Sequence, residues 1–372
     1  MKKVLIVGAG GFIGGFIAAE SLRRGYETWC GVRESTSRRY LTDPALKFIT
    51  LDYDDPDKLA KQLEGHSWDY VVYNLGATKC VNFTDFNRIN CNYLRDFTET
   101  YLDVVGKPEK FVYMSSLSAL GPGDETGYTP LDSRMIPQPN TRYGVSKIKA
   151  ETFLQTLQDF PWIILRPTGV YGPHEQDYLM MIKCIDAHFD FGVGFRRQML
   201  TFIYVEDLAR AIFDAIERSE PQRKYIISEP KAYTQAEFRR IVSKALGRWF
   251  VIPVRLPLWM LSIACKVSEK WGAAKMEATT LNSDKYKIMA QRNWNCDVTD
   301  AVEGFGFAIR PSSMADAVKT FVWIYPFYML LSSWLAWRAW GRRPEVTWIL
   351  LAVMVLTTAA IFMLVLQSDT LI

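Results

Sequence analysis

Lys2 to Val7 is a short apolar run with no helical period, and it leads directly into Gly8-Ala-Gly-Gly11-Phe-Ile-Gly14. Few local arrangements suit such a segment. The glycines are followed by Phe12, Ile13, Phe16 and Ile17, spaced for one face of a helix, so the pattern predicts a strand, a tight turn and a helix. Gly8 permits the turn, Gly11 lets a phosphate approach the backbone, and Gly14 allows the helix to pack closely on the strand. The helix N-terminus, with Phe12 and Ile13, then offers unpaired N–H groups to an anion. A secretory leader is the competing reading of Met1-Lys-Lys and the apolar run. The glycines that interrupt the apolar region and Arg23-Arg24, standing where a cleavage site would lie, argue against it.

Short apolar strands recur at crossover spacing: Val4 to Val7, Thr28 to Val32, Phe48 to Leu51, Tyr70 to Leu75, Phe111 to Ser115 and Trp162 to Arg166. Amphipathic stretches separate them. This alternation predicts an α/β fold, a Rossmann-type doubly wound parallel sheet with helices on both faces. The chain has 372 residues, 49% of them hydrophobic, enough for one extended domain or two intimate ones. The expected division is a dinucleotide-binding domain over 1–165 with a returning part near 200–228, then a smaller, mainly substrate-binding lobe over 166–318. A net charge of +4 without a dense basic run excludes a nucleic-acid surface. Six cysteines without a C-x-x-C pair read as buried free thiols, and three histidines share no metal-ligand spacing, so no metal is expected.

The chemistry lies further along. Tyr143 and Lys147 stand four residues apart in Tyr-Gly-Val-Ser-Lys, and Ser116 precedes Tyr143 by 27 residues. On a helix capped by Asn140 or Thr141, positions i and i+4 share a face, so phenol and ammonium address one small volume. A nearby cation favours phenolate and is expected to lower the Tyr143 pKa toward the range of a general acid/base. Ser116, at the carboxyl end of its strand, is placed to hydrogen-bond a substrate oxygen.

At these residues the chain resembles the extended short-chain dehydrogenase/reductase family, which contains nucleotide-sugar epimerases and dehydratases, dihydroflavonol-type reductases and 3β-hydroxysteroid dehydrogenases. The likeness covers roughly residues 1–320. It rests on Gly8, Gly11 and Gly14, on Phe111-Val-Tyr-Met-Ser-Ser-Leu-Ser-Ala-Leu-Gly121, on Tyr143 and Lys147, on Arg166-Pro-Thr-Gly-Val-Tyr-Gly172 and on Thr201-Phe-Ile-Tyr-Val-Glu-Asp207. The resemblance implies that Ser116 and Tyr143 are catalytic, that Lys147 also binds the ribose, and that Asn90 supports the proton relay. It further implies that Asp52 and Tyr53 lie near the adenine and that Gly76, Pro167 and Val170 lie along the cofactor.

Cofactor choice turns on the end of the second strand, where an acidic residue would specify NAD. Cys30-Gly31-Val32-Arg33 offers none, and Arg33 is placed as in reductases whose arginine meets a 2′-phosphate. NADP(H) is therefore favoured over NAD(H), with Arg38 and Arg39 as helpers.

For the substrate, the nucleotide-sugar members' arginine before Phe-Ile-Tyr-Val is missing: Met199-Leu200-Thr201 stands there. Val251 to Ala264 is apolar, and reads as an ordinary core helix sooner than as a lipid-facing lip. Val346 to Leu366 is 21 residues without a charge, long enough as a helix, at about 31 Å, to cross a bilayer core. The aromatic-rich 319–345 reads as an interfacial or membrane segment. The expectation is a membrane-anchored oxidoreductase with its catalytic domain on the cytoplasmic side, acting on a hydroxyl or ketone of a sterol-like lipid or 3-oxo-sphingolipid. Two alternatives stand: a nucleotide-sugar epimerase or dehydratase of membrane-associated glycan synthesis, and a non-catalytic scaffold that keeps the cofactor fold. A homodimer is compatible with each.

Overall fold

The computed structural model describes residues 1–175, 177–275, 279 and 281–309. The first half alternates strand and helix: β1 (Lys3–Val7), α1 (Phe12–Arg23), β2 (Glu27–Val32), β3 (Lys47–Thr50), α2 (Pro56–Leu63), β4 (Tyr70–Tyr73), α3 (Phe83–Asn87), α4 (Tyr93–Val104), β5 (Lys110–Met114), α5 (Arg142–Thr156) and β6 (Trp162–Pro167). The second half is more broken: β7 (Gly169–Tyr171), α6 (Asp177–Asp186), β8 (Phe189–Val193), β9 (Met199–Leu200), β10 (Phe202–Tyr204), α7 (Val205–Arg218), β11 (Arg223–Ile227), β12 (Tyr233–Thr234), α8 (Gln235–Ala245), β13 (Ile252–Leu256), α9 (Leu258–Lys275), α10 (Ser283–Ala290) and α11 (Thr299–Phe305).

Seven strands form one sheet in the order β11-β6-β5-β4-β1-β2-β3, and every neighbouring pair is parallel. The order reverses between β1 and β4, which opens a crevice at their carboxyl ends. Residues alternate across the sheet, so Val4 and Ile6 join the core beneath α1 and α7 while Leu5 and Val7 join the core beneath α4 and α5. Burial on both faces is why these strands are continuously apolar.

The six strands expected from the sequence all lie in this sheet. A seventh, β11, pairs with β6 after an excursion of some 55 residues, from Gly169 to Arg223. Core membership also extends later than a boundary at 165 implies, because Val298, Ala301, Phe305 and Phe307 are buried in the first-lobe core. The second lobe has two smaller cores, one of Tyr171, Ile182, Phe202, Phe238 and Val242, the other of Val193, Leu261, Cys265 and Leu281. All six cysteines are free, but Cys91 and Cys184 are only partly buried. No helix among the described residues is long and apolar enough to cross a membrane. The segments expected there, 319–345 and 346–366, lie outside the described residues.

Candidate active site

The turn from β1 to α1 has the tight backbone that its glycines predict. Gly8 has φ of +81°, and a Cβ there would stand 2.8 Å from the Leu75 backbone. At Gly14 a Cβ would meet the carbonyl oxygens of Gly8 and Ala9 at 2.5 Å, so only glycine lets the helix sit this close to the turn. Gly11 is the N-cap, and no side chain caps α1. A Cβ at Gly11 would meet nothing nearer than the Gly8 carbonyl oxygen at 3.7 Å. Gly11, Phe12 and Ile13 line a cavity of about 1050 Å³. An uncapped helix terminus with open space before it is a cradle for a pyrophosphate, so the residues present fit a dinucleotide.

Ser116, Tyr143 and Lys147 converge on the same cavity. Ser116 follows β5, and its Oγ accepts from the Ser118 N–H at 3.2 Å, capping a short 3₁₀ turn. Thr141, not Asn140, caps α5, its hydroxyl accepting from the Gly144 N–H at 3.0 Å. The helix then presents Tyr143 to the same cavity that Ser116 lines. Lys147 is 4% exposed, and its Nζ donates to the Met114 carbonyl at 2.8 Å and lies 5.9 Å from the centre of the Tyr143 ring. An ammonium carries three donors, so the cavity side of Lys147 retains capacity for a ribose. Gly76 makes room for it, since a Cβ there would stand 3.0 Å from the Lys147 Nζ.

The expected lowering of the tyrosine is not found. Burial pushes Tyr143 up to about 12, opposed by the Ser116 side chain. Burial also pulls Lys147 down to about 7, opposed by the charge of Glu151. Desolvation therefore sets the direction of both shifts.

Asn90 lies off the cavity wall, fully buried in a π-helical turn over Arg88–Asn92. Its Oδ1 accepts from the Ala77 N–H at 2.7 Å, and its Nδ2 donates to the Ala77 carbonyl at 3.0 Å and to the Ser146 hydroxyl at 2.9 Å. It thus braces the loop beside Gly76 and the helix of Lys147. Asp52 also stays off the wall, because its carboxylate is drawn to the Asp54 N–H at 3.1 Å and toward Lys58. Tyr53, its neighbour, lines the cavity, as do Pro167 and Val170. Arg33 is exposed at the rim, and its guanidinium makes no ion pair among the described residues. Arg38 and Arg39 lie instead over the rings of Phe48 and Tyr40, at 4.3 and 4.6 Å.

Sequence reasoning missed two features. Thr168 lines the cavity with a buried hydroxyl that has no hydrogen-bond partner among the described residues. Its signal was its place between Pro167 and Gly169. Behind the site, Arg166 donates to Glu151 through Nε at 3.0 Å and Nη2 at 2.6 Å, both residues fully buried. The Ser115 hydroxyl donates to the same carboxylate.

A parallel sheet with its switch point at β1 and β4, and a serine, tyrosine and lysine gathered beside a dinucleotide cradle, define an NAD(P)-dependent enzyme of the short-chain dehydrogenase/reductase type. The chain belongs to the NAD dependent epimerase/dehydratase family, whose profile matches residues 4–228. It is 26% identical over 258 residues to the mouse (Mus musculus) dTDP-D-glucose 4,6-dehydratase, covering 61% of this chain and 68% of that one. To the sterol-4-alpha-carboxylate 3-dehydrogenase, decarboxylating, of Dictyostelium discoideum it is 21% identical over 315 residues, covering 77% and 95%. The ceramide reductase of Caulobacter vibrioides is 22% identical over 312 residues, covering 81% and 88%. Among solved structures, the UDP-glucuronic acid 4-epimerase of Bacillus cereus in complex with NAD shares the fold with a TM-score of 0.65 at 18% identity, covering 85% and 94%.

Proposed function

We propose that the protein is a membrane-anchored, NADP(H)-dependent reductase of a ketone on a membrane lipid, sterol-like or a 3-oxo-sphingolipid. The carrying observation is the wall of the cavity beyond the cradle. Met180, Met181, Phe191, Val193, Leu256, Leu261, Ile288 and Met289 make it apolar. The charged residues on that side are Glu175, Asp177, Asp190 and Asp284 against Lys79 and Lys285. Three of these acids are paired, Asp177 with Lys285 at 2.7 Å, Asp190 with Arg239 at 3.0 Å and Asp284 with Arg142 at 3.4 Å, and among the described residues no arginine itself lines this half to grip a sugar nucleotide's pyrophosphate. Arg292, close by, spends its guanidinium on the carbonyls of Val193, Ala290 and Met289.

When bound, NADPH supplies a hydride to the carbonyl carbon. Tyr143, protonated at neutral pH because burial holds its pKa high, donates its proton to the carbonyl oxygen. Ser116 holds that oxygen, and Lys147 fixes the ribose. Arg33 would hold the 2′-phosphate, the uncapped first turn of α1 would hold the pyrophosphate, and the unpartnered Thr168 hydroxyl would be available to the cofactor. The uncharged 346–366 provides the anchor, leaving this site on the cytoplasmic face where NADPH is found.

The nucleotide-sugar reading draws on the likeness to the mouse dehydratase. The two separate in one assay: the full chain in lipid vesicles, offered NADPH with a 3-keto sterol or a 3-oxo-sphingolipid, or offered UDP- and dTDP-sugars. NADPH consumption with a lipid ketone and none with the sugars is the expected result; sugar conversion alone would sink the lipid reading. Tyr143→Phe should lower kcat by about a hundred- to ten-thousandfold while NADPH binding persists.

A further inference from the structure

We propose that helix α9 lies flat in the surface of an anionic bilayer and forms the lip through which a lipid enters the cavity. The sequence suggested a core helix here, but the outer face is bare. Trp259, Ile263, Val267 and Trp271, spaced four apart, are 64%, 55%, 47% and 63% exposed. That spacing aligns them in one stripe about 18 Å long. Its inner face is quite different. Leu261 and Cys265 are buried, and Leu261 lines the substrate half of the cavity. One helix thickness therefore separates the exposed stripe from the space assigned to the ketone.

Three features favour a bilayer as the occupant. Lys266 and Lys270 are exposed on the same side as the stripe and make no ion pair among the described residues. Glu269, the acid between them, is turned away to Arg142 at 2.7 Å and to the Ser283 hydroxyl. An apolar stripe edged by lysines, with tryptophan at each end, has the chemistry of a helix lying in an interface with anionic lipid. The helix is not long and apolar enough to cross a membrane, so a bilayer contact of α9 would run along the surface. Finally, 63 residues follow Ile309 and include the uncharged 21-residue run, which would hold the folded body close to a bilayer.

This inference rests on the lipid-ketone reading for its purpose but not for its geometry, and the test separates them. The full chain carrying p-benzoylphenylalanine at position 263 is reconstituted in phosphatidylcholine–phosphatidylglycerol vesicles and irradiated. A lipid adduct on the α9 peptide is expected; cross-links to residues 310–372 or to a second copy, without lipid adducts, overturn the proposal. In parallel, the Trp259→Ser/Ile263→Ser/Trp271→Ser variant is assayed with a ketone embedded in the vesicles and with a short, water-soluble ketone. Turnover of the embedded ketone should fall on the order of tenfold with the soluble one unchanged, and equal turnover of the embedded ketone by variant and parent overturns the lip. A lipid adduct in a protein that reduces neither ketone sustains the docking helix and overturns the reductase.

Discussion

Burial gives Lys147 an unusual charge for a lysine, and its effect on stability follows. Its pKa falls from 10.5 in the unfolded chain to about 7 in the folded one. Between those values the unfolded state binds the extra proton, so stability rises with pH. The penalty is complete below the folded value and gone above the unfolded one. Lys147→Met should therefore gain in Tm relative to the parent at pH below about 7 and lose that advantage steadily toward pH 10.5; a difference in Tm that is flat with pH would refute the assigned burial effect. Arg33 is the other residue whose isolation is informative. With no ion pair among the described residues to compete, its guanidinium is free for a phosphate, and a charge-assisted hydrogen bond contributes about 1.5–3 kcal/mol. Arg33→Ala should raise the KM for NADPH by about ten- to a hundredfold and leave that for NADH alone. Equal effects on the two cofactors would remove the NADP assignment.

At the scale of elements, α5 aligns Tyr143, Lys147 and Glu151 at successive four-residue steps, so one inward stripe carries the proposed proton donor, the proposed ribose ligand and a buried carboxylate. Glu151 ties that helix to β6 through Arg166, and Arg166 also donates to the Ser133 carbonyl at 3.0 Å, pinning the loop before α5. Removing one partner of a fully buried pair strands the other charge. Glu151→Ala should cost about 3–5 kcal/mol in denaturant unfolding, whereas the double replacement Glu151→Leu with Arg166→Met should cost much less. Similar costs for the two would mean that packing, not the stranded charge, dominates.

Across the whole molecule, what the sequence disclosed was whatever short spans determine. The glycine turn, the six apolar strands and the Tyr143–Lys147 spacing depend on neighbours within a few residues, and each is found in the fold. Long-range partners were opaque. Glu151 reads as a surface acid until Arg166 is seen against it, and β11 carries little apolar alternation to mark it as the sheet's seventh strand. Tyr143 was read from its nearest cation alone, but the enclosure that sets its proton affinity comes from segments far apart in the chain. The α9 stripe was hidden for a related reason: both faces of the helix are apolar, so periodicity could not say which one faces outward.

The late return of β11 to the edge of β6 has a consequence for how such an enzyme can change. The stretch between them shapes the ligand side of the cavity, yet both of its ends are sewn into one sheet, and α11 is stitched back beneath it. New specificity cannot arrive by appending a module at one junction; a transplanted lobe has to match several seams at once. Diversification is thereby steered toward substitutions within the lining and away from wholesale exchange.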